Sequence, residues 1–173
     1  MFAGRFFRNE QGSAATEMAL LLPLSILLLF GSVEAGYFFY TQHKVVKGVR
    51  EGARYASRQN FGYYICGNTA LQDPTGLPTG STVTSAIKNV TRTGFPGGGT
   101  PRVVGWIDSE VTVTVSCPPT GQEVTGGIYN GKTNAPQVNV SAVVDYPSLF
   151  GVLTPLDSTF RLRAKQQSAV MGI

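Results

Sequence analysis

The sequence predicts an α+β fold, in which one long N-terminal helix precedes a small antiparallel β-sheet domain. Three observations predict it. The run from Met18 to Val33 contains no charged residue and is dominated by Leu, which indicates a membrane helix. Val alternates with Thr or Ser at 110–117, which is typical of a half-buried strand. The 21 Gly and 10 Pro residues indicate many turns, as a small sheet domain requires.

The first part of the chain divides into a leader at 1–12 and a membrane-spanning helix at 13–40. The leader is polar and basic. As a helix, the uncharged run alone is about 24 Å long, so it needs flanking residues to cross a hydrocarbon core of ~30 Å. Four consecutive aromatic residues at 37–40 suit the membrane–water interface. Pro23 interrupts the run, but membrane helices tolerate proline where neighbouring groups satisfy the freed backbone.

Residues 41–58 predict an amphipathic extension of the same helix. At 100° per residue, its basic residues share one sector, and small or apolar residues share another, roughly opposite. The basic residues are Lys44, Lys47, Arg50, Arg54 and Arg58, and the others are Val45, Val46, Val49, Gly52, Ala53 and Ala56. Glu51 lies in the basic sector at helical spacing from Lys47 and Arg54, so ion pairs with both are predicted. The basic sector fits either a solvated face or a surface for lipid or a partner.

Residues 59–173 predict a globular α+β domain. A short helix is expected at 82–93, followed by the glycine-rich loop at 94–101. Strands are expected at 102–107, 110–117, 137–146 and within 159–171, with Asp108 and Ser109 forming a hairpin turn between the first two. The amphipathic helix is the natural cover for one face of this sheet.

The charged and polar side chains argue against an enzyme and against nucleic-acid binding. Half of the 14 Lys and Arg residues flank the membrane run, and no other basic patch is interleaved with aromatic residues. The single histidine, His43, has no second histidine or nucleophile near it in sequence. We therefore expect no catalytic residue, no cofactor and no metal site.

The two cysteines, Cys66 and Cys117, both follow the membrane run. An even pair in an exported domain is most simply explained by one disulfide. Two separately buried thiols are the alternative.

Glu17 lies just inside the apolar run, in the order QGSAATEMALLLPL. A carboxylate at the centre of a membrane helix costs about 2.5–3.5 kcal/mol, and less near an interface, so this residue needs a partner. Cleavage between Gly12 and Ser13 would supply a new α-amine about one helical turn away. In an assembly, the amine of a neighbouring subunit could serve instead.

The N-terminal third of the chain resembles a known family. Gly12 with Glu17 at the edge of an apolar helix resembles a type IV prepilin processing site. The longer series, through Leu22-Pro23, Glu34, Gly36, Tyr40 and REGARYA at 50–56, resembles the TadE-like family, the minor pseudopilins of the bacterial tight-adherence (Flp) pilus system. Met18 departs from the family, which more often has Phe or Tyr there.

The resemblance implies a pilin-like fold and a role in pilus biogenesis and adhesion. It implies processing by a prepilin peptidase, contacts with other pilin-like subunits and with the inner-membrane assembly machinery, and contact with membrane lipid. It also implies a single-pass protein of the bacterial inner membrane, with a cytoplasmic N-terminus and a periplasmic C-terminal domain.

Two alternatives stay open at this point. Lys and Arg are more numerous after the membrane run than before it, which by the positive-inside rule alone predicts the reverse topology. The run also fits a secretory signal peptide cleaved near Val33–Ala35, which would release a soluble domain beginning at Gly36. The competing function is accordingly an exported binding domain, tethered to the membrane or secreted, that is not part of a pilus.

Overall fold

The computed structural model describes residues 10–64, 83–117, 125–131, 134–150 and 160–172, and it has the predicted α+β architecture. Its regular elements are α1 (Glu10–Ser57), α2 (Val83–Thr93), β1 (Val111–Ser116), β2 (Gln137–Asp145) and β3 (Arg161–Ala169). Short 3-10 turns lie at Phe61–Tyr63, Asp108–Glu110 and Gly127–Tyr129. Residues 1–9 of the predicted leader lie outside the described residues.

Helix α1 runs unbroken for 48 residues, through Pro23 and through the predicted junction between the membrane helix and its extension. Every side chain from Ala14 to Val33 is exposed. These 20 residues span about 30 Å as a helix, which equals the hydrocarbon thickness of a typical bilayer. Within the described residues, α1 is the one helix long and apolar enough to cross a membrane, as predicted.

The described strands form one antiparallel sheet in the order β1-β2-β3. Val113 pairs with Val140 across β1 and β2, and Val140 pairs with Gln166 across β2 and β3. Side chains alternate between the two faces of a strand, so β2 can bury every second residue. Its four buried residues, Val138, Val140, Ala142 and Val144, form the centre of the core.

The second half of α1 covers the inner face of this sheet, together with α2. Val45, Val49, Ala53 and Ala56 of α1 are fully buried in the core, so the small and apolar sector is the packing face, as the periodicity predicts. At the edge of the sheet, the Gln42 side chain donates a hydrogen bond to the backbone carbonyl of Arg163, 2.9 Å away.

Two glycines allow α1 and α2 to approach closely. A Cβ atom at Gly48 would overlap the backbone carbonyl of Thr91 and lie 3.0 Å from the Trp106 ring. A Cβ atom at Gly52 would overlap the side chain of Thr91. Thr91 cannot turn away easily, because it is fully buried and its hydroxyl donates to Ile87 O at 2.8 Å. Only glycine at both positions allows α1 and α2 to lie this close together.

The predicted strand at 102–107 is wrong, and so is the predicted hairpin turn at Asp108 and Ser109. Residues 101–107 form a loop that leads into the turn Asp108–Glu110, and β1 is the first strand of the sheet. Gly105 adopts φ +80°, which lies outside the strand region. The run is apolar because Val103 and Trp106 close the core beneath α1 and α2, while Val104 points to solvent.

Candidate functional site

The predicted processing residues lie in the first turns of α1. Gly12 and Ser13 belong to the helical backbone, which begins at Glu10. Glu17 follows Ser13 by four residues, so the backbone nitrogen of Ser13 and the Glu17 carboxylate lie about one turn apart on the same helix. The Glu17 side chain is exposed, at the start of the apolar stretch. This arrangement allows a free amine at Ser13 to neutralise the carboxylate.

Glu34 joins the apolar stretch of α1 to the globular domain. The hydroxyl of Tyr146, which follows β2, donates to Glu34 Oε1 at 2.8 Å and lies 3.2 Å from the Glu34 backbone carbonyl. Ser148 and the backbone of Leu149 and Phe150 also lie beside the carboxylate. The position of Glu34 in the sequence, beside the aromatic residues at 37–40, favours an interfacial glutamate over a second buried functional charge. The structure makes it a polar contact between α1 and the globular domain, placed where the exposed apolar stretch ends.

The Tyr146 side chain is suited to this contact. It is buried, and both burial and the hydrogen bond to Glu34 raise the pKa of its hydroxyl, which therefore remains a proton donor. Its ring packs against Tyr37 and Phe38, with centroid distances of 6.1 and 5.2 Å. The aromatic belt predicted at 37–40 is therefore divided. Tyr37 and Phe38 pack on the globular domain, and Phe39 and Tyr40 remain exposed.

An apolar groove of about 820 Å³ lies beside this junction. One wall is the exposed part of α1. The other is formed by Tyr146 and Phe150, which follow β2, and by Phe160, which precedes β3. Phe150 reaches the apolar stretch of α1, where its ring meets the Phe30 ring edge to face, with the centroids 4.9 Å apart. The groove runs from Leu22 to Phe39 along α1, or about 26 Å, and its first part lies within the stretch suited to hydrocarbon. Such a lining can contact a lipid chain or an apolar helix.

In the basic sector of the extension, Lys47, Arg50, Arg54 and Arg58 are exposed and Lys44 is half-buried. Lys47 lies 3.9 Å from Glu51, which confirms one predicted ion pair. The second cation on Glu51 is Arg102, from the loop after α2, where the sequence predicts Arg54. Arg102 comes from a segment predicted to be a strand, so no local pattern signals this pair. The Lys44 ammonium lies over the Tyr40 ring, 4.4 Å from its centroid.

The predicted disulfide falls partly outside the described residues. Cys117 directly follows β1 and packs, partly buried, against the core. Cys66 lies outside the described residues, so the pairing stays a prediction. Among the described residues, no group of three or more His, Cys, Asp and Glu side chains has the arrangement of a metal site.

Comparison with known proteins gives a family match over most of α1. A family model described as TadE-like protein matches residues 12–54. Neither the curated proteins nor the solved structures give a match to the chain. The matched region begins at Gly12, contains Glu17 and Glu34, and ends in the basic sector at Arg54. Over residues 12–54 this chain matches the TadE-like family, which confirms the resemblance seen in its sequence.

Proposed function

We propose that this chain is a minor pseudopilin of a bacterial tight-adherence (Flp, type IV-like) pilus, supporting pilus biogenesis and adhesion. The observation that carries the proposal is Glu17, four residues after Ser13, at the start of an exposed apolar helix within the family match. A simple tether gains nothing from a carboxylate there, since the charge makes insertion costlier. An assembly subunit gains a partner for a free α-amine, its own or that of a neighbour.

The globular domain supports a minor subunit over a main filament protein. Main pilins of this system are short chains without such a domain, by the same resemblance. The proposed partners are a prepilin peptidase, other pilin-like subunits, the inner-membrane assembly machinery and membrane lipid. The protein would cross the inner membrane once, with its N-terminus in the cytoplasm and its globular domain in the periplasm. The proposal assigns it no catalytic activity.

N-terminal sequencing of the protein co-expressed with a prepilin peptidase tests the proposal. Cleavage is expected between Gly12 and Ser13, and Gly12→Glu should abolish it, because the added side chain and charge lie at the bond to be cut. Gly4→Glu adds the same group to the leader away from that bond and serves as the control. Glu17→Ala should leave membrane insertion intact or improve it, and should impair pilus assembly.

The outcomes separate the competing functions. A mature N-terminus at Gly36 would indicate an ordinary signal peptide and a secreted domain. An intact leader in cells with functional pili would remove the processing step and leave the membrane anchor. Normal piliation with Glu17→Ala would favour a tethered domain outside the pilus.

A further inference from the structure

The exposed basic sector of α1 is a single continuous surface. We call it the basic face; its residues are Lys44, Lys47, Arg50, Arg54 and Arg58. The Lys47 side chain is 73% exposed, and Arg50, Arg54 and Arg58 are also exposed. The opposite side of the helix is buried against α2 and the sheet, so these side chains are held on one side of a rigid support. Lys47, Arg50 and Arg54 border a shallow cleft of about 380 Å³.

The described acidic groups of the domain do not neutralise the basic face. Glu51, which lies beside it, is shared between Lys47 and Arg102. Asp108 pairs with Arg92, and Asp145 pairs with Arg161 at 3.1 Å. Glu110 accepts hydrogen bonds from the backbone N–H groups of Ile107 and Asp145. Among the described residues Arg50 and Arg54 form no ion pair, so their positive charge is available to a partner.

The height of the basic face above the membrane disfavours lipid headgroups as its partner. The exposed apolar stretch ends at Val33, and with α1 upright Lys44 lies about 16 Å and Arg58 about 37 Å beyond that point. A headgroup layer adds only about 5–7 Å to each side of the hydrocarbon core, and salt screens charges beyond about 8 Å. Arg50 and Arg54 therefore lie above the headgroup layer, on the side of α1, at a height where another protein subunit could contact them.

A second copy of this chain is also disfavoured as the partner. From residue 41 onward it contains twelve Lys and Arg against seven Asp and Glu. The described acidic groups outside α1 already hold cations or backbone N–H groups. Two such domains would repel each other at this face, because like charges brought together without counter-charges are destabilising.

We infer that the basic face of α1 is a docking surface for a different protein subunit that presents a row of carboxylates at the same height above the membrane. Arginine suits this role, because its planar guanidinium binds a carboxylate through two parallel hydrogen bonds. Arg50 and Arg54 are four residues apart and project from neighbouring turns. This surface is distinct from the processing residues, and the inference does not depend on cleavage of the leader.

The test uses the full chain in phosphatidylcholine nanodiscs, with fluorescein-labelled decaglutamate as the probe and anisotropy as the readout. Arg50→Glu/Arg54→Glu should weaken binding at least tenfold. The control, Arg163→Glu/Lys165→Glu, makes the same change in total charge on the outer face of β3 and should change binding by less than about threefold. Trp106 emission should show that both variants keep the native fold.

Three outcomes would overturn the inference. Equal weakening by the two double variants, or no binding by the wild type, would show that the basic face is only a solvated surface. Loss of decaglutamate binding when phosphatidylglycerol is added to the discs would make lipid headgroups the occupant. A change in the oligomeric state of the detergent-solubilised protein with Arg50→Glu/Arg54→Glu, but not with the control, would make it a contact between copies of this chain.

Discussion

The close contact between α1 and α2 at Gly48 gives the most quantitative prediction. Replacing glycine by alanine inside a helix normally stabilises it by about 1 kcal/mol, because glycine loses more backbone entropy on folding. At Gly48 the added methyl group would overlap the backbone carbonyl of Thr91, which cannot rotate away, and press on the Trp106 ring. Overpacking of this kind costs about 1–3 kcal/mol. We expect a cost in the upper part of that range. After the gain of about 1 kcal/mol from helix propensity, Gly48→Ala should lower the free energy of unfolding by about 1–2 kcal/mol.

Urea unfolding of the full chain in detergent measures this loss. Trp106 is the single tryptophan and is buried, so its emission reports on the core beneath α1 and α2. With a urea m-value of about 2 kcal/mol/M for a small domain, the midpoint should fall by roughly 0.5–1 M. Far-UV circular dichroism should give the same shift, since the methyl group could alter the emission of the folded state directly.

Gly36→Ala is the matched control, because it makes the same change in the same helix. No atom lies within 4 Å of a Cβ at Gly36, so this variant should be as stable as the wild type or slightly more stable. If Gly48→Ala unfolds at the same urea concentration as Gly36→Ala, the two helices do not approach as closely as described, and the packing argument for the small-residue sector fails.

Two further predictions concern the ends of the globular domain. Tyr146→Phe removes the hydroxyl that donates to Glu34, and a hydrogen bond to a charged group contributes about 1.5–3 kcal/mol, so backbone hydrogen exchange at 146–150 should accelerate at least tenfold. Unchanged exchange would mean that the apolar contacts alone hold the domain against the helix. A disulfide between Cys66 and Cys117 would close a loop of about 50 residues and stabilise the domain by about 4 kcal/mol in the chain-entropy model. Mass analysis without reductant should show the protein two hydrogens lighter than its reduced form, and two alkylatable thiols in protein from the periplasm would contradict the pairing.

Much of the fold could be predicted because it depends on local patterns. The exposed stretch from Ala14 to Val33 follows from the absence of charge, and the buried side of α1 follows from the spacing of its small residues. β1 and β2 were predicted to within one residue at each end, because side-chain alternation has a period of two. The match to the TadE-like family lies in the same local stretch, residues 12–54.

The sequence by itself therefore determined the long apolar helix, the packing face of its extension, the strands of the sheet and the position of Glu17 at the start of the apolar stretch. The tertiary structure alone decided the partner of Glu34, the second cation on Glu51 and the conformation of the 102–107 run. Tyr146 lies 112 residues from Glu34 and Arg102 lies 51 residues from Glu51, and no local periodicity encodes either pairing. The 102–107 run is apolar like a strand. It is a loop because Trp106 packs into the core and Gly105 adopts a backbone conformation outside the strand region. The physical reason is that a periodic pattern reports which face of an element is buried, and only the assembled core decides what buries it.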